Sequence, residues 1–526
     1  MPVLYDLLAR GYFPKELPSP FTTQPFAVFA TNTALVGDFA KPVNPKPKIK
    51  AAKPCRYSLA RGGLLRRPLS LCHPVAHYLL CREIVNEWAA IAPSVSGTLI
   101  SATHPEDKPS GRAIDGHWPQ SARAELAHQR RLAKRFALHA DISRFYSSIY
   151  THSIPWALHG KQVAKTNQTH NLLGNRIDYL VRLGQDGQTI GIPIGPDTSL
   201  VIAEMLMHKC DGFLASQMPG LQGSRFIDDF ELNFATQAEA ENAHHLLETC
   251  LASYELALNP RKTAIFDLPR PIETVWATAL KKLKPRSGVQ AQAADLAILF
   301  DSAFALHQQY PAEAVLQFAI SLLQFETIDP GNWQLFQRLL MLCALPEPAS
   351  FPFAARLIVA KSATQNGGLI PELSSIANNL ITTHSPLRHS SEVANAIWAC
   401  LALQLTIGDA AVDAISGCDD PVVALLALDA ENRHLTSKPI DKTLWCSHMN
   451  SAALYDEFWL LAYEANVRNW LPNQGGVDFV ANDLNFGQLK TAGVHFYTPT
   501  QLPAATQPAP EVIQPQVATT LPPPSL

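Results

Sequence analysis

Residues 223–234 read GSRFIDDFELNF, two short β-prone runs with a pair of aspartates between them. Phe230, Leu232 and Phe234 alternate with polar neighbours, so the second run is expected to turn one face to a core. The pattern predicts a hairpin with Asp228 and Asp229 at its turn. Acids at hairpin turns are ordinary turn chemistry, because Asp tolerates the backbone angles required. Here, however, the flanks are Phe226, Ile227 and Phe230, which set the acids at the lip of an apolar core. Carboxylates clustered there cost several kcal/mol of desolvation and mutual repulsion unless cations neutralise them. Hard divalent ions with oxygen ligands answer that need, magnesium first and manganese as the alternative. Two such ions about 4 Å apart can activate a hydroxyl and stabilise a leaving pyrophosphate in one in-line displacement.

Working outward, FALHADISRFYSSIY (136–150) places Asp141 at the end of a second β-prone run, with Phe145 and Tyr146 just beyond. Between the two acidic segments lies GQTIGIPIGPDTSLVIAEMLM (187–207). Gly191, Pro193 and Gly195 predict a tight loop, Asp197 a helix N-cap, and Val201, Ile202, Met205 and Leu206 one apolar stripe on the helix that follows. Taken alone, this is equally a loop entering a core helix. Upstream, RYSLARGGLLRRPLSLCHP (56–74) predicts a hairpin around Gly62 and Gly63, with Arg61 on one strand and Arg66 and Arg67 on the other. A guanidinium there can hold phosphate oxygens bidentately; a solvated basic face is the alternative. Downstream, LALNPRKTAIF (256–266) offers Lys262, either a cation for a leaving pyrophosphate or an ordinary surface lysine. WATALKKLKPRSG (276–288) is a basic segment suited to a phosphate backbone or to a solvated linker.

In this order and spacing the segments resemble the palm of reverse transcriptases. Asp141 with Tyr146 resembles motif A, the 187–207 segment motif B, Phe-Ile-Asp-Asp motif C, and Leu258, Asn259 and Lys262 motif D. Residues 56–74 resemble the fingers hairpin. Phe226 stands where the family usually has tyrosine, and Ile194 where it has a glutamine. The resemblance implies that Asp141 and Asp228 are metal ligands and Asp229 a supporting carboxylate. It implies that Tyr146 is a steric gate selecting deoxynucleotides, and that Arg61, Arg67, Gly191, Pro193, Gly195 and Lys262 surround the nucleotide. With SIYTHSI at 148–154 and a helical C-terminal region, the chain looks most like the abortive-infection, defence-associated bacterial reverse transcriptases. That kinship implies an antiphage role and, in some members, DNA synthesis without a template, primed from a protein tyrosine. Tyr455, Tyr463 and Tyr497 are the candidates for priming in or after the helical region; packing or surface roles are the alternative.

Composition sets the frame for these motifs. The chain has 526 residues, 47 % of them apolar and 17 % charged, enough for more than one core and unlike a disordered chain. The net charge of −3 means that nucleic acid must be gripped by local basic patches rather than by a global field. The nine cysteines are scattered with no C-x-x-C pair, which argues against a zinc ribbon or a disulfide scaffold and predicts core thiols in a reducing cytosol. No leader pattern and no run of ~18 apolar residues stands out, so a soluble protein is expected.

The expected organisation is an N-terminal arm (1–54), α+β fingers and palm (55–285), an all-α HEAT-like region (286–490) and a Pro-rich disordered tail (491–526). The HEAT-like expectation rests on helical-period segments such as 293–310, 311–326, 333–345 and 391–405 between short breaks. The expected activity is addition of dNTPs to DNA. The template-free, protein-primed form is set against conventional copying of RNA from a non-coding partner, and against an inactive palm serving as a scaffold. Expected partners are dNTPs, nucleic acid and further copies of the chain.

Overall fold

The structure, a computed structural model, describes residues 1–362, 365 and 368–499. The Pro-rich tail lies outside the described residues from 500 on.

Three antiparallel sheets carry the first half. Strands β1 (Cys55–Ala60) and β2 (Arg66–Leu71) form the expected basic hairpin, and β3 (Pro105–Asp107) and β4 (Ile114–Gly116) a short ribbon. The third sheet contains β5 (Phe136–Asp141), β6 (Gln222–Phe226), β7 (Asp229–Phe234) and β8 (Ala264–Asp267) in the order β6-β7-β5-β8. Alternation decides its inner face: Leu138 pairs with Leu232 and Ala140 with Phe230, and all four are buried. The helix Gln237–Ser253 lies over β5, β7 and β8, and the 21-residue helix Asp197–Gln217 packs beside it. A capping box explains why the first of these helices starts where it does: Thr236 accepts from the Glu239 N–H while Glu239 reaches back to the Thr236 N–H.

From Val275 to Thr491 the described chain is helical. Helices Val289–Gln309, Trp333–Ala344, Glu372–His384 and Asp409–Ser416 pack one on the next in one row. Helices Val315–Leu322, Phe351–Ser362, Ser390–Leu403, Pro421–Asn432 and Trp459–Val467 form a second row. The helix Val289–Gln309 is, by its 21 residues and a mean hydropathy of 1.2, long and apolar enough to cross a membrane, which the sequence reading did not anticipate. It buries Leu296, Leu299, Phe300 and Ala303.

Two boundaries differ from expectation. Residues 1–54, expected as an extended arm that packs on the body or lies on nucleic acid, do pack on the body but fold into helices there, because their aromatic side chains have a core to enter. Helices Leu4–Ala9 and Gln24–Asn32 form there, the Tyr12 hydroxyl donates to the Cys72 carbonyl, and Phe26 meets Phe496 at 5.5 Å. The tail begins later than 491 for the same reason. Phe496 and Tyr497 are fully buried, and the Thr22 N–H donates to the Phe496 carbonyl while the Thr498 N–H donates to Pro20.

The basic hairpin and the helical region are also joined. Ser58 and Ala60 on β1 donate their backbone N–H groups to the hydroxyls of Ser390 and Ser391, at 3.0 and 2.9 Å. Arg66 spans the same seam with a bidentate pair to Glu392 at 2.6 and 2.8 Å. The sheet edge that β1 would otherwise expose is therefore covered by a helix N-terminus.

Candidate active site

Strand register brings the three aspartates to one end of the central sheet. Asp141 closes β5, Asp229 opens β7 opposite it, and the Ile142 N–H donates to the Asp228 carbonyl at 3.1 Å. The turn between β6 and β7 has only Ile227 and Asp228 in it, closed by the Phe226–Asp229 pair. Ile227 takes φ +57°, a left-handed conformation that a β-branched residue adopts only under strain.

A buried polar network holds that turn. The Ile227 N–H donates to Thr103 Oγ1 at 2.8 Å, and its carbonyl accepts from Arg225 Nη1 at 2.8 Å. Arg225, wholly buried, forks onto Glu204 (2.9 and 2.8 Å) and Asp211 (2.8 and 2.7 Å), both on the helix Asp197–Gln217. Hydroxyls of Ser101, Thr103 and Thr98 donate to the same two carboxylates. Burial pushes Glu204 up, but Arg225 and the hydroxyls of Thr103 and Ser101 hold it below the usual carboxylate range. Polar groups so deep are tolerated because every one has a partner.

The three carboxylates have different surroundings. Asp141 is buried and accepts from Asn259 Nδ2 at 3.1 Å and from Lys262 Nζ at 3.0 Å. Asp229 is engaged by Arg123 at 2.7 Å, whose guanidinium also lies 4.6 Å from the centre of the Phe226 ring. Asp228 is pushed up to about 7, first by burial, then by the charges of Asp141 and Asp229. The residues fit divalent cations: Asp228 is short of positive charge, and an ammonium already sits on Asp141.

The nucleotide-side candidates gather around this cluster. Tyr146 follows Arg144, whose φ is +49°, and its carbonyl accepts the Ile192 N–H at 2.8 Å, tying the first acidic segment to the glycine loop. Burial raises the Tyr146 phenol far above its ordinary value, with Asp228 adding to the effect. Pro193 accepts from the Ser199 hydroxyl at 2.6 Å, and Gly191 donates to Ile149 at 2.8 Å. Gly195 has φ +127°, and a Cβ there would lie 2.6 Å from Pro14 Cγ, so both backbone and space require glycine. The Ile194 carbonyl accepts from the Ser70 N–H at 2.8 Å, joining the loop to β2.

Burial and the neighbouring Arg67 lower Arg61 to about 10, while Glu16 and Asp228 pull it back up. Among the described residues the Arg67 side chain has no hydrogen-bond or ion-pair partner, whereas that of Arg66 is committed to Glu392 and Ser58. At the hairpin tip a Cβ on Gly62 would meet the Ala312 carbonyl at 2.5 Å. The loop that follows the helix Val289–Gln309 thus touches the tip of the basic hairpin, and Glu313 in the same loop lies within electrostatic reach of Lys262.

Several expectations change. Asp197 is not an N-cap: Pro196 holds that position, and the Asp197 carboxylate is drawn away by Arg112 Nε at 2.6 Å and the Ile114 N–H at 2.9 Å. Tyr463 and Tyr497 are fully buried, their hydroxyls donating to the Val494 carbonyl and to Asp429. Tyr455 donates to Asp483 at 2.9 Å and stacks on His73. None of the three is brought to the carboxylates. In the basic segment 276–288, Arg286 is paired with Asp295 and Lys281 with Glu273, while Lys282 and Lys284 are exposed. Arg112, Arg123 and the Arg225–Glu204–Asp211 network were missed, because their partners are remote in sequence.

Comparison with known proteins fits this geometry. Residues 99–285 match the family described as reverse transcriptase (RNA-dependent DNA polymerase), a span that holds all three carboxylates, Tyr146, the glycine loop and Lys262. The basic hairpin at 55–71 lies outside it. No curated protein matches the chain. Among solved structures, a telomerase from Candida albicans in complex with the TWJ fragment of telomeric RNA is similar at 12 % identity and a TM-score of 0.27. The match covers 66 % of this chain and 64 % of that one, so the chain spans under two thirds of that relative's length.

Proposed function

We propose that this chain, which carries a reverse transcriptase domain at 99–285, is an enzyme of the RNA-directed DNA polymerase class that adds dNTPs to a DNA end. The observation that carries the reading is Asp228, raised to about 7 between Asp141 and Asp229 at a turn held by buried Arg225. A carboxylate so placed stabilises bound cations, because they remove the repulsion that raises it.

Asp141 and Asp228 would hold the metal, two Mg2+ or Mn2+ ions. When bound, the metal lowers the pKa of the attacking hydroxyl and neutralises charge on the phosphates. Asp229, committed to Arg123, shapes the electrostatics without ligating. Lys262, which donates to Asp141 at 3.0 Å, is the cation placed to balance charge on a leaving pyrophosphate. Arg61 and Arg67 receive the triphosphate, Arg67 being uncommitted to other partners. Tyr146 fills the space beside the sugar and excludes a 2′-hydroxyl, with the loop Gly191–Pro193–Gly195 beneath the base.

Within this class we favour template-free synthesis. The support is the 310–314 loop, which lies against the tip of the basic hairpin at Gly62 and brings Glu313 within electrostatic reach of Lys262, on the side where a product duplex would have to leave if one formed. Ile194 at the glutamine position and the engaged tyrosine hydroxyls bear on the details: if a protein tyrosine primes, Tyr463 and Tyr497 must first leave the core. Copying of a non-coding RNA is the second reading, favoured by the family description itself. An antiphage role, a HEAT-like character for the two-row helical array, self-association and a cytoplasmic setting complete the proposal. The role rests on the resemblance carried by 148–154, GIPIGPDTS at 191–199 and the helical C-terminal region, and the setting is supported by nine free thiols, eight of them buried.

The test is incubation of purified protein with Mg2+ and labelled dNTPs, with and without added RNA, followed by electrophoresis before and after protease digestion. Label that stays with the protein until digestion, without RNA, is the expected result. Label that requires RNA selects the second reading. No incorporation under any condition contradicts the polymerase reading.

A further inference from the structure

The β3–β4 ribbon gathers a second cluster of side chains of the types that ligate metals. Pro105 pairs with Gly116 and Glu106 with Asp115, and the His117 N–H donates to the His104 carbonyl at 3.0 Å, which makes His104 and His117 the next opposite pair. Opposite residues, and residues two apart on a strand, share a face. His104, Glu106, Asp115 and His117 therefore stand on one side of the ribbon. One ligand atom from each of His104, Glu106 and His117 lies within 4.8 Å of the others. The imidazoles stack with centroids 4.5 Å apart. Glu106 is gripped from both sides, by His117 Nδ1 at 2.5 Å and Lys108 Nζ at 3.0 Å, and these contacts hold its carboxyl below the ordinary range.

We infer that this ribbon face binds one Zn2+ through His104, Glu106 and His117, with an open fourth position. Two imidazole nitrogens and one carboxylate oxygen are a zinc donor set, whereas Mg2+ prefers oxygen alone, so the ribbon and the aspartate cluster select different ions. Zinc at ~2.0–2.2 Å from each ligand needs the donor atoms drawn slightly closer together. The side chains can make that movement, since those of Glu106 and His117 are 41 % and 38 % exposed. The ion would take the place of the hydrogen bond between His117 Nδ1 and Glu106. A cavity of about 250 Å³, lined by Lys108, Asp115, His117, Trp118, Leu200 and Ile227 among others, borders the cluster and supplies water or Asp115 to the fourth position.

The site bears on the catalytic turn through one residue. Thr103, next to His104, accepts the Ile227 N–H and donates to Glu204, so an ion fixing His104 braces the strained turn that presents Asp228. The other such group among the described residues, His384, His389 and Glu392, is different: Arg66 already fills both oxygens of its carboxylate.

The inference is tested on the full chain, stripped with chelator and titrated with Zn2+ by calorimetry in excess Mg2+, which occupies the aspartates. One equivalent is expected, with imidazole scattering in the zinc-edge X-ray absorption spectrum and tetrahedral d–d bands on Co2+ substitution. His104→Gln, His117→Gln and the milder Glu106→Gln should each weaken binding at least tenfold with the fold retained by circular dichroism, and Asp228→Asn should bind zinc normally. Folded wild type that takes up no stoichiometric zinc overturns the inference. So does zinc held through oxygen alone, or zinc held equally by wild type and whichever of the three variants fold.

Discussion

With burial and two neighbouring charges holding its carboxyl near 7, Asp228 takes up a proton on folding wherever the pH lies between its ordinary 3.8 and that value. The metal-free native state binds more protons than the unfolded chain in this window, so this residue's contribution to stability falls as pH rises through it. Asp228→Asn is therefore expected to melt above wild type at pH 8 without metal, by about 1–3 kcal/mol, and the gap should close toward pH 4. Thermal melts across that range with chelator check this, and a gap independent of pH contradicts it. Added Mg2+ should raise the wild-type melting temperature at pH 8 and the Asn variant's much less. Beside it, Tyr146→Ala should admit ribonucleotides that wild type rejects, read as the ratio of kcat/KM for rNTP and dNTP. Lys262→Met should lower dNTP incorporation by about 10²-fold, the usual contribution of one positioned acid.

At the scale of the element, the hairpin that carries Asp228 depends on charges behind it. Arg225→Met leaves Glu204 and Asp211 buried without their cation and should cost about 3–5 kcal/mol in urea unfolding, far more than the loss of one surface pair. A loss below 1 kcal/mol would mean that the network does not brace the turn. The hairpin itself was legible because Phe230, Leu232 and Phe234 alternate and the turn residues are acidic, signals contained within a dozen residues. The same holds for β5 before Asp141 and for the glycine loop, whose φ values at Gly191 and Gly195 bear out its tightness. What could not be read were contacts made across the chain. Arg123 reaches Asp229 over 106 positions, and Arg112 reaches Asp197 over 85, overriding a local capping signal that was sound in isolation. No periodicity records such a partner.

Over the whole molecule, the boundaries drawn from composition divide what packing joins. Prolines between 14 and 54 suggested an arm, yet Tyr12, Phe13 and Phe26 share a core with Trp459 and Phe496 from the far end of the chain. The outer edge of the basic β1–β2 hairpin is satisfied by Ser390 and Ser391, and Arg66 by Glu392. A fragment ending at residue 285 should accordingly fail to give a cooperative melt, since it exposes the β1 edge and half of that aromatic core. The central claim is that Asp141, Asp228 and Asp229 form a metal-dependent nucleotidyl-transfer site, and steady-state incorporation of labelled dNTP as a function of Mg2+ tests it most directly. Asp141→Asn and Asp228→Asn are expected to lose at least 10³-fold at every Mg2+ concentration, with Asp229→Asn retaining measurable activity. Incorporation by either of the first two at the wild-type rate, or wild-type incorporation undiminished by chelator, would contradict it.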